Sequence, residues 1–294
     1  MTADQRRIRS DIYEECPDRF HRLKEDNMTA TSKHALLWIL AFLITAASAV
    51  YQRLTGPTHP LRGSVAFQGQ QIDFKFLRSQ TVEIDVPVVV TVPDTGINGY
   101  VEYRRYKSYD DWSRKPLLRE GDKLQAVLPH QPAAGKLMYR VMLQKGAEQV
   151  ALTGEAPLVL RYKGAVPLTV LLPHVLLMFL AMLYANRTAL EALRRDGDYQ
   201  RLMRWTIGLF LLGGFIFGPL VQKYAFGELW TGIPFGYDLT DNKTLIAMLG
   251  WLGAYFASRR NPAARWWVVA AGVLMLAVYL IPHSVLGSEI DYRK

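Results

Sequence analysis

Five stretches of the chain run apolar for roughly 15 to 20 residues each, close to the ~20 that a helix needs to cross a ~30 Å hydrocarbon core. The first, Ala35–Val50, follows Lys33 and His34 and precedes Tyr51 and Arg53, so residues 34–52 are expected to form a transmembrane helix. The others cover about 165–185 (with Pro167 and Pro173), 205–222 (with Gly208, Gly213, Gly214 and Gly218), 244–258 (with Gly250 and Gly253) and 266–282. Small residues let helix backbones approach closely in lipid, so the third and fourth spans are expected inside a four-helix bundle over 165–294.

Residues 53–164 follow another rhythm. Pro, Gly, Asp and Asn recur at short intervals, and between them lie alternating or β-branched runs such as Gln71–Phe76, Thr81–Val92, Gly99–Tyr106 and Lys136–Gln144. Roughly seven short strands with frequent turn residues predict an all-β sandwich of immunoglobulin or fibronectin type, inserted between the first two spans. Residues 1–33 are polar and mixed in charge. A charged helix over Arg6–Lys24, interrupted at Pro17, is expected to form a cytoplasmic tail.

Composition changes the picture in three places. The net charge of +9 and pI near 9.6 raise nucleic acid as a partner, but no basic aromatic module is present and much of the excess flanks apolar spans. There Lys and Arg orient a membrane chain and meet anionic lipid. The single cysteine, Cys16, excludes an intrachain disulfide and a cysteine metal cluster, and reads as a reduced thiol. The first apolar segment starts well inside the chain and lacks a small-residue cleavage site, so it is expected to be retained as an anchor.

Basic residues also set the expected topology. Arg187, Arg194, Arg195, Arg201 and Arg204 follow the second span, and Arg259, Arg260 and Arg265 follow the fourth. Short basic loops stay cytoplasmic. The amino terminus is therefore expected inside. The β-domain, the loop 223–243 and the tail 283–294 are expected outside, on one face.

Candidate chemistry concentrates on that face. The stretch Phe226–Thr244, FGELWTGIPFGYDLTDNKT, is richer in acids, aromatics and glycines than a connector needs. It contributes Glu228, Trp230, Asp238, Asp241 and Lys243, and the tail contributes His283, Glu289 and Asp291. Trp230, Phe235 and Tyr237 are rings of the kind that lie at a membrane surface. Asp-Leu-Thr-Asp-Asn reads as a helix start with Thr240 or Asp241 as N-cap, and Lys243 as a surface partner for one of the acids. Carboxylates with carbonyls suit a divalent cation, but the spacing is not that of a calcium loop.

Two proline–histidine pairs, Pro173-His174 and Pro282-His283, raise bis-histidine ligation of haem b, or a quinone site. At 1.5 Å per residue His174 lies ~13 Å below the outer surface and His283 only a few ångströms, a mismatch near 8 Å for facing ligands. Each histidine is therefore expected to have its own work, His174 bonding a neighbouring helix and His283 capping one. No phosphate-cradling loop, nucleophile elbow or zinc spacing is present, and no cofactor is assigned.

The loop FGELWTGIPFGYDLTDNKT, the segment LPHQPAAGKLMYRV and the tail IPHSVLGSEIDY together resemble a family of uncharacterised polytopic proteins of the prokaryotic inner membrane, over residues 35–294. The resemblance implies the architecture and lends no activity. The expectation is a non-enzymatic integral membrane protein that binds, assembles or scaffolds, with the lipid bilayer and other membrane or periplasmic proteins as partners. Alternatives are an ion, proton or small-solute transporter using His174, Glu228, Asp238 and Asp241, and a haem or quinone electron carrier.

Overall fold

A computed structural model describes residues 32–282, 287 and 289–293. The expected helix Arg6–Lys24, Cys16 and His283 lie outside the described residues.

Five helices carry the apolar sequence. They are α1 (Ser32–Thr55), α2 (Leu168–Leu193), α3 (Gln200–Phe226), α4 (Leu239–Arg260) and α5 (Arg265–Leu280). Only α1, α2 and α3, of 24, 26 and 27 residues, are long and apolar enough to cross a membrane. Five transmembrane helices are thus corrected to three candidate spans. The physical reason is length: α5 has 16 residues, about 24 Å against a ~30 Å core. In α4, Asp241 and Lys243 at one end and Arg259 and Arg260 at the other leave only Leu245–Ala257 apolar between them, roughly 20 Å.

Helices α2 to α5 share one core in which Met203, Phe210, Met248, Trp251 and Met275 are buried together. Small residues set the close approaches, as expected. A Cβ on Gly213 would touch Leu177 and Met178 of α2 at 3.1 Å, and one on Gly214 would meet Thr244 of α4 at 3.0 Å. Around these glycines α3 widens into a π-helical stretch, Leu211–Phe217, a local unwinding that helices often use at functional positions.

The β-unit has eleven strands, β1 (Leu61–Phe67), β2 (Gln70–Phe76), β3 (Ser79–Thr81), β4 (Val86–Thr91), β5 (Asn98–Arg105), β6 (Ser113–Pro116), β7 (Leu118–Glu120), β8 (Lys123–Leu128), β9 (Lys136–Lys145), β10 (Glu148–Ala151) and β11 (Leu158–Lys163). The immunoglobulin- or fibronectin-type sandwich is corrected here. Three small sheets form instead, β1-β2, β4-β8-β7 and the six-stranded β3-β11-β9-β5-β6 with β10 also on β9. One pairing, β3 with β11, is parallel. The expected run Thr81–Val92 breaks in two, because Glu83 takes a left-handed backbone (φ 66°) and the chain turns before β4. Alternation still decides which side is in. Val86, Val88 and Val90 of β4 face Leu124, Ala126 and Leu128 of β8 in the buried core, the period-2 rule of a half-buried strand.

The bundle has two unlike ends. At one, α3 ends on Gly227 in a left-handed conformation (φ 93°), and Gly164 N–H after β11 donates to Ala225 O at 2.8 Å. A Cβ on Gly164 would collide with the Tyr224 carbonyl, so only glycine lets β11 meet α3 this closely. Gln52 of α1 reaches Tyr279 O of α5 at 2.8 Å at this same end. The far end holds His34, Arg187, Arg194 and the contact from Gln200 Nε2 to Ser258 Oγ at 3.1 Å.

Candidate functional site

The described tail, Gly287 and Glu289–Arg293, lies as a strap between the β-unit and the start of α4. Ile290 N–H donates to Ala134 O at 3.1 Å and Tyr292 N–H to Lys107 O at 2.9 Å, so the strap pairs with backbone on either side of β9's entry. Glu289 sits between two lysines. Its Oε1 is 2.5 Å from Lys107 Nζ, and its Oε2 accepts from Lys136 Nζ, which is buried and also donates to Gly287 O at 3.2 Å. Tyr292 is covered by the Arg105 guanidinium 4.5 Å from its ring centre. At the other side, Gly287 (φ 97°) lies so close to Asp238 that a Cβ would strike its carboxylate.

Charge and burial oppose each other in this strap. Burial pushes the Glu289 carboxyl up, but the hydrogen bonds from Lys107 and Lys136 outweigh it and hold it below the ordinary glutamate value. Burial pulls the Lys136 ammonium below its usual value despite Glu289, whereas exposed Lys107 is held above its own by that carboxylate. The direction for Glu289 follows from two donors on one carboxylate and dominates. A depressed folded pKa stabilises above the unfolded value and is lost as pH falls through the folded one. The melting-temperature gap between wild type and Glu289→Gln is therefore expected at neutral pH and to close as pH drops below 4.5. A gap that persists in acid would remove Glu289 from the strap's energetics.

The loop Gly227–Asp238 is ordered by the first turn of α4. Asp238 is the N-cap, its carboxylate accepting from Thr240 N at 2.7 Å and Asp241 N at 3.4 Å. The expected cap, Thr240 or Asp241, is displaced by three residues at most because Asp241 is occupied otherwise. Its Oδ2 accepts from Thr231 N at 2.7 Å, Gly232 N at 3.0 Å and Gln222 Nε2 at 3.1 Å, while Asn242 Oδ1 accepts from Ile233 N at 2.7 Å. With the Thr231 hydroxyl, which also donates to Asp241 Oδ2 at 3.3 Å, five donors on two neighbouring side chains fold the loop into one shape.

Lys243, expected at the surface beside an acid, is buried instead. Its Nζ donates to Ile281 O at 2.5 Å and to Pro282 O, gripping the two carbonyls that follow the end of α5. Trp230 stacks on Phe215 with ring centres 5.8 Å apart and donates to Ile233 O at 3.1 Å. Phe235 and Tyr237 stand 82% and 90% exposed on this fixed loop. His174 Nδ1 lies 3.0 Å from Gly213 O, so it bonds the neighbouring helix at the π-helical stretch and stands apart from the acids. Glu228 is exposed, and Asp291 pairs with Arg293.

Of the nine candidates, the structure thus brings Asp238, Asp241, Lys243 and Glu289 to one junction with Trp230 beside it. Among the described residues no group of three or more His, Cys, Asp or Glu is placed to hold a metal. Two elements escaped sequence reasoning. One is the lysine pair, whose signal was Lys136 on an otherwise apolar strand. The other is the far-end cluster Arg187–Glu191–His34, whose signal was an i, i+4 ion pair inside an apolar run.

The three stretches that carried the family resemblance are the ones that meet: Ala134 and Lys136, Asp238, and Gly287, Glu289 and Ile290. No known protein family, curated protein or solved structure matches the chain.

Proposed function

We propose that the chain is a non-enzymatic, membrane-anchored binding and assembly protein, whose β-unit is clamped to the helices so that it presents a fixed surface together with the loop Gly227–Asp238. The observation that carries the reading is the strap: one short segment bonds the β-unit through Ala134, Lys107 and Lys136 and abuts the cap of α4. A domain free to swing on its linkers needs no such clamp, because loosely joined units move by default. A surface used for assembly gains affinity from being held in its bound geometry.

The same reading places the protein in a prokaryotic inner membrane as one of the family it resembles, with the amino terminus in the cytoplasm and the β-unit, loop and tail outside. Support comes from the three long apolar helices and from Arg194, Arg195 and Arg201 around the α2–α3 connection, at the end away from the β-unit, as in a short cytoplasmic loop. Exposed Leu229, Ile233, Phe235 and Tyr237 offer the loop an apolar tip for a partner or the lipid surface.

The test is co-purification of the tagged full-length protein from mild detergents. A membrane or exported partner is expected with wild type and is expected to fall about tenfold with Glu289→Gln. A solitary monomer in every detergent would overturn the proposal.

A further inference from the structure

The far end of the bundle contains a cavity of ≈ 370 Å³ that the proposed assembly role does not use. Its inner wall is Arg187, from the last turns of α2, with a side chain only 2% exposed. Arg187 Nη1 lies 2.5 Å from Glu191 Oε2, and Nη2 lies 3.1 Å from His34 Nδ1 of α1. Its Nε has no hydrogen-bond partner, and the close Nη1–Oε2 ion pair with Glu191 is not aligned as a hydrogen bond. A buried guanidinium with an unsatisfied donor is costly, since a buried polar group without a partner forfeits its hydration. Trp38 closes one side, its ring centre 5.5 Å from the same guanidinium. Arg194 and Arg201 complete the lining from α2 and α3.

The acids of this cavity are disposed differently from its bases. Glu191 is buried and already engaged by Arg187 and by Arg194 at 3.1 Å. Asp196 and Asp198 stand at the mouth, and Asp196 has a side chain 81% exposed. Exposed charges are screened by water and salt, buried ones far less. The inner wall therefore holds a guanidinium whose Nε is unpaired and shielded from bulk water, and the mouth presents screened carboxylates.

We infer that this cavity is a binding site for a phosphate group, held by Arg187 Nε within and Arg201 at the rim. A guanidinium fork matches phosphate geometry better than any other side chain. Two sources carry that group here: the headgroup of an anionic phospholipid, since the cavity lies where α1, α2 and α3 end together, and a soluble phosphorylated compound. Basic pockets between apolar helices are known places for lipid headgroups.

The full-length protein is reconstituted in nanodiscs of phosphatidylcholine with a minority of phosphatidylglycerol, and native mass spectrometry reads the phosphatidylglycerol retained on release. Wild type is expected to retain it, and Arg201→Gln to retain about tenfold less, the loss expected for one charged hydrogen bond. Arg201 is exposed, so this variant keeps the fold. The paired variant Arg187→Met with Glu191→Met removes the inner donor without leaving a buried charge and is expected to abolish retention. Inorganic phosphate added as competitor separates the sources. Displacement by millimolar phosphate indicates a soluble ligand, and retention against it indicates the lipid. Wild type that retains no phosphatidylglycerol and shows no saturable binding of inorganic phosphate overturns the inference. So does equal retention by all three proteins.

Discussion

Glu289→Gln is expected to release the strap. The change leaves Lys136 with its ammonium buried, side chain 5% exposed, and without its carboxylate partner. Removing one member of a buried ion pair costs about 3 kcal/mol or more, because the orphaned charge stays desolvated. That corresponds to roughly a hundredfold rise in the open population. The amides of Ile290 and Tyr292, bonded to Ala134 O and Lys107 O, should exchange with solvent faster by that factor. Amides inside the bundle should be unaffected, since the opening is local. The double variant Lys136→Met with Glu289→Gln supplies the control. No unpaired buried charge remains, so much of the protection should return. If Glu289→Gln alone exchanges like wild type, the strap is held by its backbone bonds and the charge argument fails.

Asp241→Ala is expected to unlock the loop. Asp241 is 6% exposed and its Oδ2 accepts from Thr231 N, Gly232 N and Gln222 Nε2. Deleting it strands donors that are shielded from water, a loss of roughly 3 kcal/mol or more even when non-additivity is allowed for. The loop carries Phe235 and Tyr237 at 82% and 90% exposure, so side chains suited to chymotrypsin are already outside. What protects the chain is its fixed backbone, because proteases need a segment that can open and adapt. Wild type should resist cutting at these residues and Asp241→Ala should be nicked there at least tenfold faster. Asn242→Ala frees only Ile233 N and should give a smaller rise. Equal cutting of all three proteins would mean that the loop is ordered by something other than α4.

How much of this was readable beforehand depends on the range over which each signal acts. The apolar runs announced every helix, because continuous hydrophobicity is a local property. Whether a run is long enough to cross a membrane was misjudged at 244–258 and 266–282, where charged ends and short length intervene. The period-2 pattern of Val86, Val88 and Val90 located a core strand. It could not say that three small sheets form in place of one sandwich, since sheet order is set by pairings between distant strands. The helix start at Asp238–Asn242 was visible in residue type, yet the cap shifted because Asp241 is taken by Thr231 and Gly232, a loop contact that spacing does not encode. Glu289 was named a site residue for its acidity. Its partners are Lys136 of β9, 153 positions earlier, and Lys107, in the turn after β5, and no pattern in one sequence links them. Lys243 shows the same gap, buried on the carbonyls just past α5 where a surface ion pair is expected from the sequence.

The central claim is that β-unit, loop and strap occupy one side of the membrane as a single clamped body. Thiol labelling in a Cys16→Ser background tests it most directly, with single cysteines at Tyr109 (84% exposed, β-unit), Tyr237 (90% exposed, loop) and Asp196 (side chain 81% exposed), at the far end between α2 and α3. In intact cells an impermeant maleimide should modify Tyr109→Cys and Tyr237→Cys alike, and reach Asp196→Cys only after the membrane is opened. Labelling of Tyr109→Cys and Tyr237→Cys from opposite sides would contradict the account.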